Sequence, residues 1–144
     1  MARRRVDDDQ NALEARHALF LSGVLDSATQ VSEAVNSGAN VVADSWLYRT
    51  EATHAVLGSR LQIPRLDFLP NPDFVFFLDC PESMRQERRS RRGTPDPYWK
   101  SECERRSGEI RRYYLTHFPE LKMIDAAQEI SVVVSEIRMV LGAN

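Results

Sequence analysis

Apolar positions recur every three to four residues at Leu13, His17, Phe20, Val24, Ala28, Val31 and Val35, the spacing of one buried helix face, until Gly38 offers a stop. Carboxylates at Asp7, Asp8 and Asp9 suit the start of that helix, where the first N–H groups lack intrahelical partners. Val41-Val42-Ala43-Asp44 is a short apolar run ending in a carboxylate, read as a strand, and a helical pattern follows from about Thr50 to Arg60. Phe74 to Asp79 is a continuous β-prone run, as expected for a parallel strand covered on both faces, and it too ends in Asp. Pro81 suits the first turn of a helix through Met84, Arg85, Arg88 and Arg92, which Gly93-Thr94-Pro95-Asp96-Pro97 breaks. Tyr98 to His117 reads as one helix and Leu121 to Asp125 as a third strand. Ile130, Val133, Val134, Ile137 and Val140-Leu141 then form an amphipathic helix before Gly142.

Strands alternating with helices predict an α/β domain with a mostly parallel sheet. Ligands of such sheets sit beyond the C-terminal strand ends, which makes Asp44 and Asp79 the first candidates for chemistry. The plainer alternative is that each carboxylate caps the helix after it.

At 144 residues and 42% apolar content the chain suits a single folded domain over 1–144, with no repeat or low-complexity tract. Its apolar runs are too short to cross a bilayer, and Arg3-Arg4-Arg5 leads into carboxylates rather than a signal region. A soluble, cytoplasmic protein is expected. Cys80 and Cys103 fit neither a disulfide framework nor a zinc spacing, and free thiols suit a reducing compartment. His17, His54 and His117 lack the spacing of a helical metal pair. A net charge of −2 gives no global field for nucleic acid or anionic lipid. The exception is local: Arg85, Arg88, Arg89, Arg91 and Arg92 surround one Glu87. They read either as a functional cluster or as a solvated face paired with Glu82, Glu102 and Glu104. A nucleic-acid contact by this segment would bind with steep salt dependence, but net acidity and the absence of an interleaved aromatic platform disfavour it.

Several of these pieces, in order, resemble the thymidylate kinases. They are Ala18-Leu19-Phe20 in a long helix, Gly38 before Val41-Val42-Ala43-Asp44, Pro72-Asp73 leading to Phe77-Leu78-Asp79-Cys80-Pro81-Glu82, the Arg-rich segment ending at Gly93, Arg112-Tyr113, and Ile124-Asp125-Ala126. The match runs from about Leu13 to the C-terminus. It implies a three-layer P-loop NTPase-like parallel sheet with helices on both faces, and transfer of the γ-phosphoryl group of ATP to a nucleotide monophosphate with Mg²⁺. On the same resemblance Asp44 helps to place Mg²⁺ or the acceptor, Phe20 stacks on the base, and His54 stands near where the family often has Gln. The Arg-rich segment corresponds to the lid, with Arg88 and Arg92, one helical turn apart, on the transferred phosphoryl group and Arg91 on the cofactor. Family members are commonly homodimers.

The departures are equally specific. A Walker A loop needs Gly-Lys followed by Ser or Thr, because backbone amides cradle the phosphates while Lys and the hydroxyl manage charge and metal. Lys100 and Lys122 follow Trp99 and Leu121, so the motif is absent. The family carries it upstream of the matched region, and the simplest reading is an N-terminal truncation that removes the P-loop strand. The family's Asp-Arg pair reads Asp44-Ser45 here, losing the arginine that holds the acceptor phosphate; Arg49 is the nearby candidate to replace it. The arginine that reads the thymine ring falls at Gly23 or Val24, which donate nothing from their side chains. Two functions therefore stay open: a phosphotransferase whose turnover is in question, or a non-catalytic remnant that binds a nucleotide or serves as a subunit contact. Loss of a central strand, roughly 10 kcal/mol of apolar burial against a domain stability of about 5 to 15 kcal/mol, predicts a marginal chain prone to self-association.

Overall fold

The structure, a computed structural model, describes residues 10–62, 66–91 and 98–142. Asp7 to Asp9, Arg92 and the Gly93 to Pro97 break lie outside them. The chain is α/β. In order come α1 (Gln10–Asn36), α2 (Trp46–Leu57), β1 (Val75–Asp79), α3 (Glu82–Ser90), α4 (Tyr98–Arg105), α5 (Ser107–His117), β2 (Leu121–Asp125) and α6 (Ile130–Leu141). Among the described residues no helix is long and apolar enough to cross a membrane.

Helices α1, α2, α4 and α5 belong to one compact unit, and β1, α3, β2 and α6 to a second. In the helical unit Val24 and Ala28 of α1 bury against Leu69, with Trp46, Leu47 and Leu66 packed around them. Leu13, His17 and Ala52 are buried as well, so the three-to-four spacing read along α1 marks its inner face at Leu13, His17, Val24 and Ala28, whereas Phe20 and Val35 are exposed. Helix α2 ends at Gly58, whose left-handed φ of 87° lets Ser59 N–H reach back to the His54 carbonyl at 2.9 Å. That turn fixes where Ser59 stands.

The second unit is built on β1 and β2, paired in parallel with Val75 opposite Leu121 and Asp79 opposite Asp125. The pairing puts both carboxylate-ended strands side by side at their C-terminal ends. Ala126 N–H extends the ladder by donating to the Asp79 carbonyl at 2.7 Å. Ile124 is the buried centre of this unit, at 4% exposure.

Three expectations about elements are corrected. Val41 to Asp44 forms no strand: it pairs with no described strand, Asp44 lies in a bend, and Val42 is 97% exposed. A β-prone run without a neighbour has no ladder to join, so composition alone did not make it a strand. The Thr50 to Arg60 helix begins at Trp46 and ends at Leu57, because Ser45 and Trp46 turn sharply through positive φ values of 73° and 33°. The single helix from Tyr98 to His117 is two, divided at Arg106.

Candidate functional site

Asp44 stands in the bend between Val41 to Ala43 and the start of α2. Ser45 is the N-cap residue of α2, yet it makes no side-chain cap bond. Its hydroxyl donates to Asp44 Oδ1 at 3.0 Å and accepts from Arg49 Nη1 at 3.3 Å. Arg49 lies one helical turn on, where the i, i+4 spacing brings it back over Ser45. The hydroxyl thus links a carboxylate to a guanidinium on an exposed edge. A non-glycine residue held in the left-handed region costs of order 1 to 3 kcal/mol, and such strain concentrates at functional sites. The structure therefore brings Asp44 and Arg49 together, through a residue that the sequence marked only as a loss.

On the facing surfaces of α1 and α2, Phe20 lies against His54 with ring centroids 5.6 Å apart and planes inclined by 50°. Its ring remains partly exposed. His54 stacks on His17 at 4.4 Å with planes 4° apart, over the buried Thr50. Burial pushes His54 down to about 4; the Thr50 carbonyl opposes that shift, while His17 and Arg16 add to it. His17 is lowered by the same burial, against the pull of Glu14. These two sites, Phe20–His54 and Asp44–Arg49, lie on the same helical unit.

Sequence reasoning missed the polar network beneath this pair. Glu14 accepts from Ser59 Oγ at 2.5 Å, Arg60 N–H at 2.7 Å and Leu61 N–H at 2.9 Å, pinning the segment after α2 onto α1. The available signal was slight: Glu14 and His17 share a helix face, and Ser59 follows a glycine stop. Behind α2, Tyr113 Oη donates to Glu51 Oε1 at 3.2 Å. Burial pushes the Tyr114 phenol up to about 12, with Arg49 pulling the other way. Burial also raises Cys103 despite Arg16 and Arg49, so it stays a thiol rather than a nucleophile.

In the second unit Arg88 Nη2 donates to the Ala126 carbonyl at 3.0 Å, tying α3 to the turn beyond β2. Asp125 Oδ1 accepts from Ala127 N–H at 2.9 Å and shapes that turn. Arg88 is thus held at the C-terminal strand ends, the place expected of a ligand-facing group in a parallel sheet. Arg91 pairs with Glu87 at 2.6 Å and Arg85 with Glu82, so these two follow the solvated-face pattern. Arg92 lies outside the described residues.

No group of three or more His, Cys, Asp or Glu that could hold a metal occurs among the described residues. Mg²⁺ does not require one. It keeps several waters and binds through one or two carboxylates plus substrate phosphates, a mode that the exposed Asp44 carboxylate beside the Ser45 hydroxyl fits. ATP is different, since the Gly-Lys-Ser or Gly-Lys-Thr motif whose backbone amides cradle its phosphates does not occur in this sequence.

An α/β chain with carboxylates closing β1 and β2, and with Asp44 linked through Ser45 to Arg49 on its helical unit, is the frame on which the comparisons bear. Residues 2–137 match the family described as Thymidylate kinase. The chain belongs to that family. It is 28% identical over 141 residues to a protein of Dictyostelium discoideum named Thymidylate kinase, an alignment covering 90% of this chain and 58% of that protein. The chain thus spans little more than half the length of that relative. No solved structure matches it.

Proposed function

We propose that this chain forms the acceptor side of a thymidylate-kinase-like phosphotransferase and binds a nucleotide monophosphate. In this reading Phe20 stacks on the base with His54 behind it, Arg49 takes the acceptor phosphate in place of the arginine that Ser45 replaces, and Asp44 orients water around Mg²⁺. Taken by itself, the second unit would supply Arg88 and Arg92 for the transferred phosphoryl group and Arg91 for the cofactor, the last on leaving its pairing with Glu87. Mg²⁺, when bound, supplies charge neutralisation at the phosphates. The protein's own part is positioning: a guanidinium is suited to a phosphate because its planar fork donates two parallel hydrogen bonds. A homodimer in the cytoplasm belongs to the same proposal.

The observation that carries this reading is the Asp44–Ser45–Arg49 link, which places a cation beside a carboxylate on strained backbone. It is tested by the shift in melting temperature on adding thymidine monophosphate and Mg²⁺. The chain should be stabilised, and Arg49→Ala should remove the effect with its own melting temperature unchanged. An undiminished shift in Arg49→Ala would refute the assignment. The second reading, binding without turnover, is favoured by Ser45 standing where the family has arginine. Transfer of labelled phosphate from ATP to the nucleotide separates the two, since a binding subunit gives no product above background.

A further inference from the structure

His17 and His54 are 2% and 3% exposed and stacked face to face. Their hydrogen bonds fix which nitrogen carries the proton. His54 Nδ1 lies 2.8 Å from the Thr50 carbonyl, which only accepts, so Nδ1 is the protonated nitrogen. Ser59 has one hydroxyl proton and gives it to Glu14 at 2.5 Å; its oxygen therefore accepts from His17 Nδ1–H at 2.8 Å. Each neutral ring is left with Nε2 as a bare acceptor. Both Nε2 atoms are buried and have no hydrogen-bond partner among the described residues.

A buried acceptor without a donor is uncommon in a folded protein and calls for a physical explanation. One metal ion does not supply it. The rings are parallel to within 4°, so their in-plane lone pairs lie in separate parallel planes and do not converge on one point. The proton is the ligand that fits two buried lone pairs in parallel planes.

We propose that the His17–His54 stack is an acid-operated latch between α1 and α2, closed while both rings are neutral and opened when one Nε2 takes a proton from solvent. The new N–H has no acceptor among the described residues, and the charge it brings is buried. A second proton would place like charges 4.4 Å apart, so the pair accepts one proton as a unit and the second only after the rings separate. The groups around the pair do not cancel this. Glu14 favours the charged ring, but its carboxylate is engaged by Ser59, Arg60 and Leu61; Arg16 opposes it. On α2, Arg49 is turned to Ser45 and Glu51 to Tyr113 of α5. On α4, Cys103 is neutral. Burial holds both imidazoles below their ordinary value, in keeping with a latch closed at neutral pH.

The test uses the whole 144-residue chain. Imidazole nitrogen spectra are recorded from about pH 7.5 to 4, alongside amide hydrogen exchange corrected for pH, where the imidazole unperturbed value is about 6.5. At neutral pH both rings should show the Nδ1–H tautomer. On acidification the amides of α1 and α2 should lose protection together, and α6 should retain it. His54→Gln keeps a donor for the Thr50 carbonyl and removes one proton site, so its opening should move at least about one pH unit lower and its proton uptake on unfolding should fall by about one. An Nε2–H tautomer, independent titration of the rings near 6.5 without loss of protection, or unchanged opening in His54→Gln would each overturn the latch. If His54→Gln does not fold, the tautomers and titration of the parent chain decide alone.

Discussion

Replacing Glu14 with alanine removes a single carboxylate that accepts three hydrogen bonds, from Ser59 Oγ, Arg60 N–H and Leu61 N–H at 2.5, 2.7 and 2.9 Å. Hydrogen bonds to charged groups contribute about 1.5 to 3 kcal/mol each when desolvated. Residues 60 and 61 are exposed, so water replaces much of what their N–H groups lose, leaving about 0.5 kcal/mol apiece. The Ser59 bond is partly buried and its loss also frees the hydroxyl that orients His17, about 1.5 kcal/mol. The sum is roughly 2 to 3 kcal/mol, a fall of about 6 to 9 °C in melting temperature for a chain of this size. The ion pair of Glu14 with Arg60, at 3.7 Å and with the arginine 75% exposed, should add little. Urea unfolding of Glu14→Ala and Arg60→Ala therefore separates the clamp from the ion pair. A Glu14→Ala variant within about 0.5 kcal/mol of the parent, or an Arg60→Ala variant equally destabilised, would refute the reasoning.

Other substitutions test the remaining assignments. Ser45→Gly should relieve the left-handed backbone and stabilise the chain by about 1 kcal/mol in urea while weakening nucleotide binding, because the link from Asp44 to Arg49 goes with the hydroxyl. Ile124→Ala removes the buried centre of the strand-containing unit and should cost about 2 to 4 kcal/mol, read as increased exchange of the β1 and β2 amides. Lowering the pH should destabilise the chain through His54: the unfolded imidazole binds a proton below about 6.5 that the folded one, near 4, refuses. This contribution is whole above 6.5 and is lost as pH falls toward 4, up to about 3 kcal/mol by denaturant titration, and His54→Gln should flatten that part of the profile. Cys103, kept as a thiol by burial, should react with a thiol reagent far more slowly than free cysteine, and equal rates would contradict its placement.

What could be read from the sequence divides by the range of the interactions involved. The spacing along α1, the runs at β1 and β2 and the stop of α6 at Gly142 are local patterns, and each reappears as an element. Val41 to Asp44 shows where local pattern fails: its composition asks for a sheet, but a ladder requires a second strand. The break at Arg106 was announced only by the Ser107-Gly108 pair that follows it, a turn signal outweighed by the helical pattern on either side; it is held by Arg106 pairing with Glu109 at 2.5 Å. At the candidate site, Phe20 and His54 were reached through resemblance, and their adjacency follows from the packing of α1 on α2. The Glu14–Ser59–His17 network was invisible because it joins positions more than forty residues apart through a glycine turn. Ser45 was read as an absence, whereas its hydroxyl links Asp44 to Arg49.

The two compact units each draw on two separate stretches of chain, so the polypeptide passes from the helical unit to the strands, back through α4 and α5, and out again to β2 and α6. No single cut yields either unit whole. β1 meets β2 only after the chain has travelled from Asp79 through three helices to Leu121, whereas α1 and α2 are joined by one short connection. Closing the longer loop forfeits more chain entropy before any contact compensates, and contacts distant in sequence form late. Emergence from a ribosome should therefore leave the helical hairpin formed first and β1 waiting, its edge open, for a strand made last.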